Sequence, residues 1–300
     1  MAICVIHSRI VYQVGVIRNV AVQAKLKGFP PLFEPELRPS RLRLAATDLA
    51  GAITLWPLWV RLGWHDILYR YRRSLLGPFW FTANTAITIV ALGIVYSQIF
   101  KMPIRELMPY VCVGLLVWGF ISAILQGAGE IFSGAESYIK QVRLPYLLYV
   151  FRFIWSKTIV FAHDFPIYVV LIVYFGSWPG AVALAAIPGF LLLAVNGALV
   201  SVTLGMASAR FRDVPRIISS LAQIIFLITP ILWTPDMLGP QIWLAHINPF
   251  FHLIEIVRRP LLGSLPPLET VWVTLLVTAL NLALAVAMFS RYRARIAYWL

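Results

Sequence analysis

The sequence predicts an all-α integral membrane protein with six membrane-spanning helices. Of its 300 residues, 60% are hydrophobic and only 12% are charged. A soluble globular domain carries about 25% charged residues because it must solvate its surface. The apolar residues also form long continuous runs, and the lysines and arginines lie at the ends of these runs. Much of the surface is therefore expected to face lipid.

Six apolar stretches are long enough to cross a bilayer. A hydrocarbon core about 30 Å thick requires roughly 20 apolar residues in a helix. A β-barrel would instead show segments of about ten residues with alternating hydrophobicity, which these continuous runs lack. Together the spans form a predicted transmembrane domain over residues 77–295. They are 79–99, 108–128, 153–175, 181–208, 215–233 and 270–289.

Two segments precede the first span. Residues 1–45 are interrupted by arginines, lack a signal-peptide cleavage site and include a proline-rich connector, so we expect a poorly ordered extension. Residues 46–76 carry apolar and aromatic side chains at helical spacing and end in arginines. Their apolar part is too short for a further span, which needs roughly 20 residues. This pattern predicts an amphipathic helix at the membrane interface.

The distribution of positive charge predicts the orientation. Six spans place both ends of the chain on one side, and that side carries fourteen lysines and arginines near the span ends. Cytoplasmic loops are enriched in these residues. Both termini of this multi-pass protein are therefore expected in the cytoplasm. The opposite side carries only Lys101, Arg105, Arg258 and Arg259.

Two connecting segments have an unusual composition. Residues 130–153, cytoplasmic in this topology, place charged side chains beside apolar ones, which fits either a short amphipathic helix or an ordinary solvated loop. Residues 234–269 would be external, yet they remain rich in Trp, Phe, Leu and Ile. Short re-entrant helices buried against protein would explain an apolar external segment.

Motifs for catalysis and cofactor binding are missing from the sequence. No Gly-Lys dipeptide occurs, which excludes a Walker phosphate loop. Cys4 and Cys112 form neither a disulfide framework nor a metal-binding pair. His252 and Glu255 share one helix face, but polar contacts explain this pair better than a metal site does. We therefore expect no catalytic residue, no bound cofactor and no metal. We also expect no nucleic-acid partner, because the basic residues do not form a polar patch.

Asp164, next to His163 in the third span, is the sharpest polar feature of the apolar runs. An intramembrane carboxylate costs about 3 kcal/mol on insertion scales and is a functional candidate for that reason. It could belong to a proton or cation relay, or it could pair with Lys157 or with an asparagine of a neighbouring helix. The lack of a second acid in the spans favours pairing. Four amides are expected to form interhelical hydrogen bonds, namely Asn84, Asn196, Gln223 and Asn281.

Four stretches resemble, in order, the membrane subunit of ABC-2 type exporters. The resemblance is to the branch that exports polysaccharides and polyol phosphates, such as O-antigen, capsule or teichoic-acid-type polymers. It runs from about Arg61 to Phe289 and leaves the first 45 residues unassigned. The stretches match the start of the first span, the loop with the coupling helix, the turn into the fifth span and the external gate helices. They are RYRRSLLGPFW (70–80), YIKQVRLPYLLYV (138–150), ARFRDVPRIISSLAQIIFLITPILW (209–233) and INPFFHLIEIVRRPLLG (247–263).

The resemblance implies a transporter subunit that is not an enzyme by itself. It would move a lipid-linked polysaccharide across the inner membrane, while ATP and Mg would bind a separate nucleotide-binding ABC ATPase subunit. Two copies of this chain would assemble with two copies of that subunit. The region expected to contact the ATPase comprises Glu136, Ile139, Lys140, Arg143, Leu144 and Pro145.

The resemblance also implies sites for the substrate. Arginines at the start of the first span would lie near the entrance for a pyrophosphate-linked lipid head. Aromatic side chains would line a channel between two copies of the chain, because sugar rings stack on aromatic faces. The entrance candidates are Arg70, Arg72 and Arg73, the channel candidates are Trp80, Tyr96, Trp118 and Phe120, and the cytoplasmic turn carries Arg210, Arg212 and Asp213.

Other functions stay open at this point. An ion-coupled secondary transporter should show internal repeats with paired broken helices, and the sequence has no matching halves. Other ABC-2 exporters carry lipids or drugs, although the likeness to them is poorer. A membrane-embedded transferase would need clustered Asp, His or Arg on one membrane face, which only His163-Asp164 and Arg258-Arg259 approach. The sequence does not determine which polymer is carried.

Overall fold

The computed structural model describes residues 40–70 and 79–300, and these residues contain helices and no β-strand. The all-α prediction is confirmed for this part of the chain, while the predicted extension falls almost entirely outside it. Short 3₁₀ turns connect several helices. The α-helices are α1 (Arg41–Thr54), α2 (Trp56–Arg70), α3 (Phe79–Phe100), α4 (Ile104–Gly127), α5 (Glu136–Gln141), α6 (Tyr146–Phe175), α7 (Ala186–Arg210), α8 (Val214–Ile228), α9 (Trp243–Ile247), α10 (Pro249–Leu261), α11 (Leu268–Tyr292) and α12 (Ile296–Trp299).

Two helices, α1 and α2, occupy the place of the single interface helix predicted over 46–76. Ser40 caps α1 by accepting a hydrogen bond from the backbone N–H of Arg43 at 3.3 Å. The helix breaks at Leu55, where Pro57 cannot supply an N–H to continue the ladder. The indole of Trp59 donates to the carbonyl of Ala52 at 3.1 Å and ties the two helices together.

Five helices in the described part of the chain are long and apolar enough to cross a membrane. They agree with five of the six predicted spans. The second of them is central, because 72% of its apolar stretch is buried inside the protein, against 11–28% in the other four. The five are Thr82–Phe100, Ile104–Glu130, Tyr146–Phe175, Gly180–Arg210 and Leu268–Trp299.

The other predicted span, 215–233, is not confirmed as a membrane-crossing helix. Its helix, α8, has 15 residues, which rise about 22 Å and fall short of a bilayer core of about 30 Å. The helix ends because Thr229 precedes Pro230, and a residue before proline is pushed into the extended region. Thr229 accordingly has φ −92° and ψ 135°.

The irregular backbone after α8 is buried against protein and not against lipid. Thr229 and Ile231 are at most 1% exposed. The carbonyl of Pro230 accepts a hydrogen bond from the guanidinium of Arg258 at 2.9 Å and another from the hydroxyl of Tyr110 at 3.3 Å. Non-helical backbone is tolerated at membrane depth only when its polar groups are satisfied in this way.

The segment between α8 and α11 contains the short helices α9 and α10. Asn248 caps α10 by accepting from the backbone N–H of Phe250 at 2.9 Å, and Pro249 at the first helical position loses no hydrogen bond. Helix α10 packs against α4, α7 and α11, and ten of its residues are buried. Insertion into the core therefore explains the apolar residues of α10, whereas Trp243, Leu244 and Ile247 of α9 are exposed.

Candidate functional site

The segment 136–145, which we call the coupling segment, is an ordered helix and turn at one end of the bundle. Lys140 and Glu136 form an exposed ion pair at 2.6 Å, one helical turn apart. Arg143 is also exposed. Ile139 and Leu144 are partly buried and pack against the hydrophobic core. The segment thus presents charge outward while its apolar side chains fix it to the bundle.

A buried carboxylate joins the start of α6, directly after the coupling segment, to elements near both ends of the described chain. Asp48 of α1 is 2% exposed. It accepts hydrogen bonds from the backbone N–H groups of Tyr146 at 3.1 Å and Leu147 at 3.0 Å, in the first turn of α6. Arg293, after α11, donates to the same carboxylate at 2.8 Å. A negative charge at a helix N-terminus satisfies unpaired N–H groups and interacts favourably with the helix dipole.

A second carboxylate fastens α2 to α6. Arg152 donates to Asp66 from two nitrogens, at 2.7 and 2.5 Å, in a two-pronged ion pair. The helices also approach closely at Gly63, where an added Cβ would lie 2.9 Å from the Trp155 ring and 3.0 Å from the Arg152 carbonyl. Movement of the start of α6 would therefore carry α1 and α2 with it.

The turn between α7 and α8, predicted to be cytoplasmic, is exposed. Arg210 lies over the rings of Phe211 at 5.1 Å and Trp299 at 5.7 Å, measured to the ring centroids. Arg212 and Asp213 are exposed, and the Asp213 side chain makes no capping hydrogen bond to α8.

Helices α3, α4 and α8 place polar side chains on the outer surface of the bundle. We call this surface, defined by Asn84, Thr88, Gln126 and Gln223, the polar face. All four residues are exposed although they lie in apolar helices. A groove of about 400 Å³ runs along it between α4 and α8 and is lined in part by Gln126, Gln223 and Trp118. Polar groups are costly against lipid, so this surface is suited to water or to another protein.

The four candidate channel aromatics do not share one surface. Trp80 is 62% exposed, and Tyr96 packs against Phe100. Trp118 is mostly buried but borders the polar face, next to Phe226 with ring centroids 5.8 Å apart.

Phe120, two residues further along α4, packs in the core and lines the cavity beside Asp164, as Trp118 also does. Its ring packs against those of Phe161 and Phe190, with centroids 5.9 and 5.0 Å away. Of the four candidates, Trp118 is the one that lines the groove on the polar face.

Asp164 contacts a hydroxyl on a neighbouring helix. Its carboxylate accepts a hydrogen bond from Thr82 of α3 at 2.9 Å, and the same hydroxyl lies 3.2 Å from the carbonyl of His163. Asp164, Lys157 and Asn84 all line one cavity of about 250 Å³. The sequence predicted a lysine or an asparagine as the partner of Asp164, and the hydrogen bond to Thr82 corrects that prediction. Lys157 lies two helical turns away, over the Phe153 ring at 4.9 Å.

Two of the four expected interhelical amides bond to each other. Asn281 of α11 donates to the side-chain oxygen of Asn196 in α7 at 3.0 Å, and Asn196 donates to Thr278 at 2.7 Å. Asn84 and Gln223 instead lie on the polar face.

His252 and Glu255 make polar contacts, as the sequence favoured. His252 lies 3.1 Å from the Thr270 hydroxyl, and Glu255 binds Arg258 and Arg259. Within residues 40–70 and 79–300 no group of three His, Cys, Asp or Glu side chains could hold a metal.

Some candidates lie outside the described residues, and the contact of Asp48 with Arg293 has only a weak signal in the sequence. Arg72 and Arg73 fall in the undescribed segment 71–78, and the side chain of Arg70 is likewise not described. Asp48 and its partner Arg293 were missed by sequence reasoning, because the two are far apart in the chain. The one local signal was a lone acid in the otherwise apolar run LAATDLAGAI.

Comparison with known proteins identifies the family. Residues 57–262 match the ABC-2 type transporter family. The O-antigen export system permease protein RfbA of Klebsiella pneumoniae is 25% identical over 198 residues, 63% of this chain and 74% of the relative. A Myxococcus xanthus protein of the same name is 25% identical over 177 residues, covering 59% and 68%. A second Klebsiella pneumoniae RfbA is 22% identical over 241 residues, covering 77% and 90%. The chain is therefore an ABC-2 type transporter membrane protein.

Proposed function

We propose that this chain is the membrane-spanning subunit of an ATP-driven exporter that moves a lipid-linked polysaccharide of the O-antigen or capsule type across the bacterial inner membrane. The main support is the similarity to three proteins named O-antigen export permeases, in a chain that belongs to their family. The chain has no phosphate loop, so the energy comes from ATP and Mg bound on a partner ABC ATPase subunit.

The geometry of the coupling segment supports an ATPase contact there. Exposed Lys140 and Arg143 offer positive charge to a partner surface, while Ile139 and Leu144 anchor the segment to the bundle. Because Asp48 ties the start of α6, which directly follows this segment, to α1, displacement of the segment moves several helices together. A rigid connection of this kind is what transmission of ATPase closure requires.

The polar face supports assembly of two copies. Exposed Asn84, Gln126 and Gln223 would be poorly solvated by lipid. If two chains bring their polar faces together, these side chains line a water-filled pathway for sugar hydroxyls. The two chains and two ATPase subunits then form the exporter, with both termini and the coupling segment on the cytoplasmic side.

Genetic removal of the chain tests the proposed function. Cells lacking it should accumulate the lipid-linked polymer inside and show none at the surface, and the unaltered chain should restore export. Reversing the charge in the coupling segment with Arg143→Glu should block export without lowering the amount of the chain. Lys101→Glu, the same charge change on the opposite side of the membrane, is the control and should export normally. Full surface polymer in the deletion strain would refute the proposal.

An ion-coupled transporter is the second candidate, and the intramembrane Asp164 is the observation that favours it. Such a transporter would work without an ATPase partner. Export that continues when the partner ATPase is inactivated, and stops when the ion gradients are collapsed, would favour this candidate.

A further inference from the structure

The cavity beside Asp164, which we call the Asp164 cavity, has a lining unlike the rest of the apolar bundle. Its volume is about 250 Å³. A carboxylate (Asp164), an ammonium (Lys157), an amide (Asn84) and a hydroxyl (Thr88) face it from α3 and α6. The Trp118 ring forms part of the wall from α4. Hydrogen-bonding groups and aromatic surface therefore surround a space inside the transmembrane domain.

The Asp164 cavity opens toward the polar face. Asn84 and Thr88 line it and are also exposed on the outside of the bundle. Trp118 lines both this cavity and the groove that contains Gln126 and Gln223. At Gly119, which is exposed and also lines the cavity, an added Cβ would meet no atom within 4 Å. The space is therefore open at the surface that we assign to the transport pathway.

The side chains that line the Asp164 cavity favour a sugar ring over a lipid chain or a cation. A lipid chain would strip water from a carboxylate, an ammonium and an amide without offering hydrogen bonds, which is costly for each group. A cation attracted by Asp164 would meet the positive charge of Lys157 on the same helix, seven residues or about 10 Å along the axis. A neutral ring with many hydroxyl groups can both donate to Asp164 and accept from Lys157 and Asn84.

We propose that the Asp164 cavity binds one sugar unit of the polymer during its passage, and that Asp164 and Lys157 hold its hydroxyl groups. This inference rests on the proposed function. The volume suits a single ring, since pockets for larger, drug-sized ligands measure about 300–1,000 Å³. At this site the chain can bind the polymer between successive cycles of ATP hydrolysis.

Filling the cavity tests the inference, because Gly119 allows it without removing any polar group. Gly119→Phe should reduce surface polymer by about tenfold or more, while Gly119→Ala adds only a methyl group and should reduce it little. Ala283→Phe is the control, since Ala283 is exposed on α11 and does not line the cavity. All variants should be present in the membrane in equal amounts. Export by Gly119→Phe at the unaltered level would overturn the inference.

Cysteine labelling identifies what occupies the cavity. Gly119→Cys is introduced together with Cys4→Ser, while Cys112 stays because it is fully buried. In the assembled exporter a charged thiol reagent should label position 119, and purified lipid-linked polymer should slow the labelling about tenfold, a factor worth about 1.4 kcal/mol. Asp164→Asn should weaken that protection. No labelling would mean that lipid fills the cavity, and labelling without protection would mean water alone; either result overturns the inference.

Different results would refute the proposed export function and the proposed sugar site. If the unaltered chain does not restore export to cells that lack it, the proposed function is wrong. If it restores export and the Gly119 and Asp164 variants behave like the unaltered chain, only the sugar site is wrong.

Discussion

Replacing Asp48 by alanine should loosen the junction between α1, α6 and the segment after α11. The substitution removes the acceptor for the N–H groups of Tyr146 and Leu147 and the partner of Arg293. Leaving a buried N–H unsatisfied costs about 1–3 kcal/mol, and breaking a buried ion pair costs about 3–5 kcal/mol. These costs overlap, because one carboxylate makes all three bonds and Arg293 keeps 15% exposure. We expect a loss of about 3 kcal/mol in the free energy of unfolding.

Thermal unfolding of the purified chain in detergent, followed by tryptophan fluorescence, measures this loss. At about 2 °C per kcal/mol for a chain of this size, Asp48→Ala should lower Tm by about 6 °C. Asp48→Asn keeps one acceptor oxygen and should lower Tm by less. Asp213→Ala is the control, because Asp213 is exposed and caps nothing. If Asp48→Ala and Asp213→Ala unfold at the same temperature, the junction does not stabilise the fold.

Two further substitutions test the packing of α10. Gly189→Ala should be strongly destabilising, because its Cβ would lie 2.5 Å from the carbonyl oxygen of Ile256. Gly134→Ala should be neutral, because a Cβ there meets nothing within 4 Å. Limited proteolysis in detergent compares the two variants, and equal protection from cleavage would contradict the close approach of Gly189 to Ile256. Arg258→Ala should lower the free energy of unfolding by about 3–5 kcal/mol, because it leaves Glu255 buried with one partner fewer. Arg259→Ala should lower it by about 1 kcal/mol or less, because the Arg259 side chain is 45% exposed. Tm values in detergent compare the two variants, and equal shifts would argue against the buried role of Arg258.

The long spans could be predicted because apolar length is a local property of the sequence. The early end of α8 could not be read from hydropathy, since the run stays apolar through Pro230 to Trp233. Proline can also be accommodated within a membrane helix, as Pro166 is in α6. At Pro230 the outcome depends on Arg258 and Tyr110, which lie far away in the chain and satisfy the freed carbonyl.

The site residues show the same division between local and long-range information. Asp164 stood out as a candidate because an acid inside an apolar run is visible locally, but its contact with Thr82 depends on how α3 packs on α6. Trp118 and Phe120 look equivalent in the sequence. Two residues of helix turn them about 200° apart, so one borders the polar face and the other enters the core.

Reconstitution into lipid vesicles shows whether this chain exports polymer only together with an ATPase subunit. The purified chain alone, the partner ATPase alone and the two together are supplied with ATP and lipid-linked polysaccharide, and both ATP hydrolysis and polymer transfer are measured. We expect polymer transfer only when both subunits and ATP are present, and no ATP hydrolysis by the chain alone. ATP hydrolysis by the chain alone, or polymer transfer without the ATPase, would contradict it.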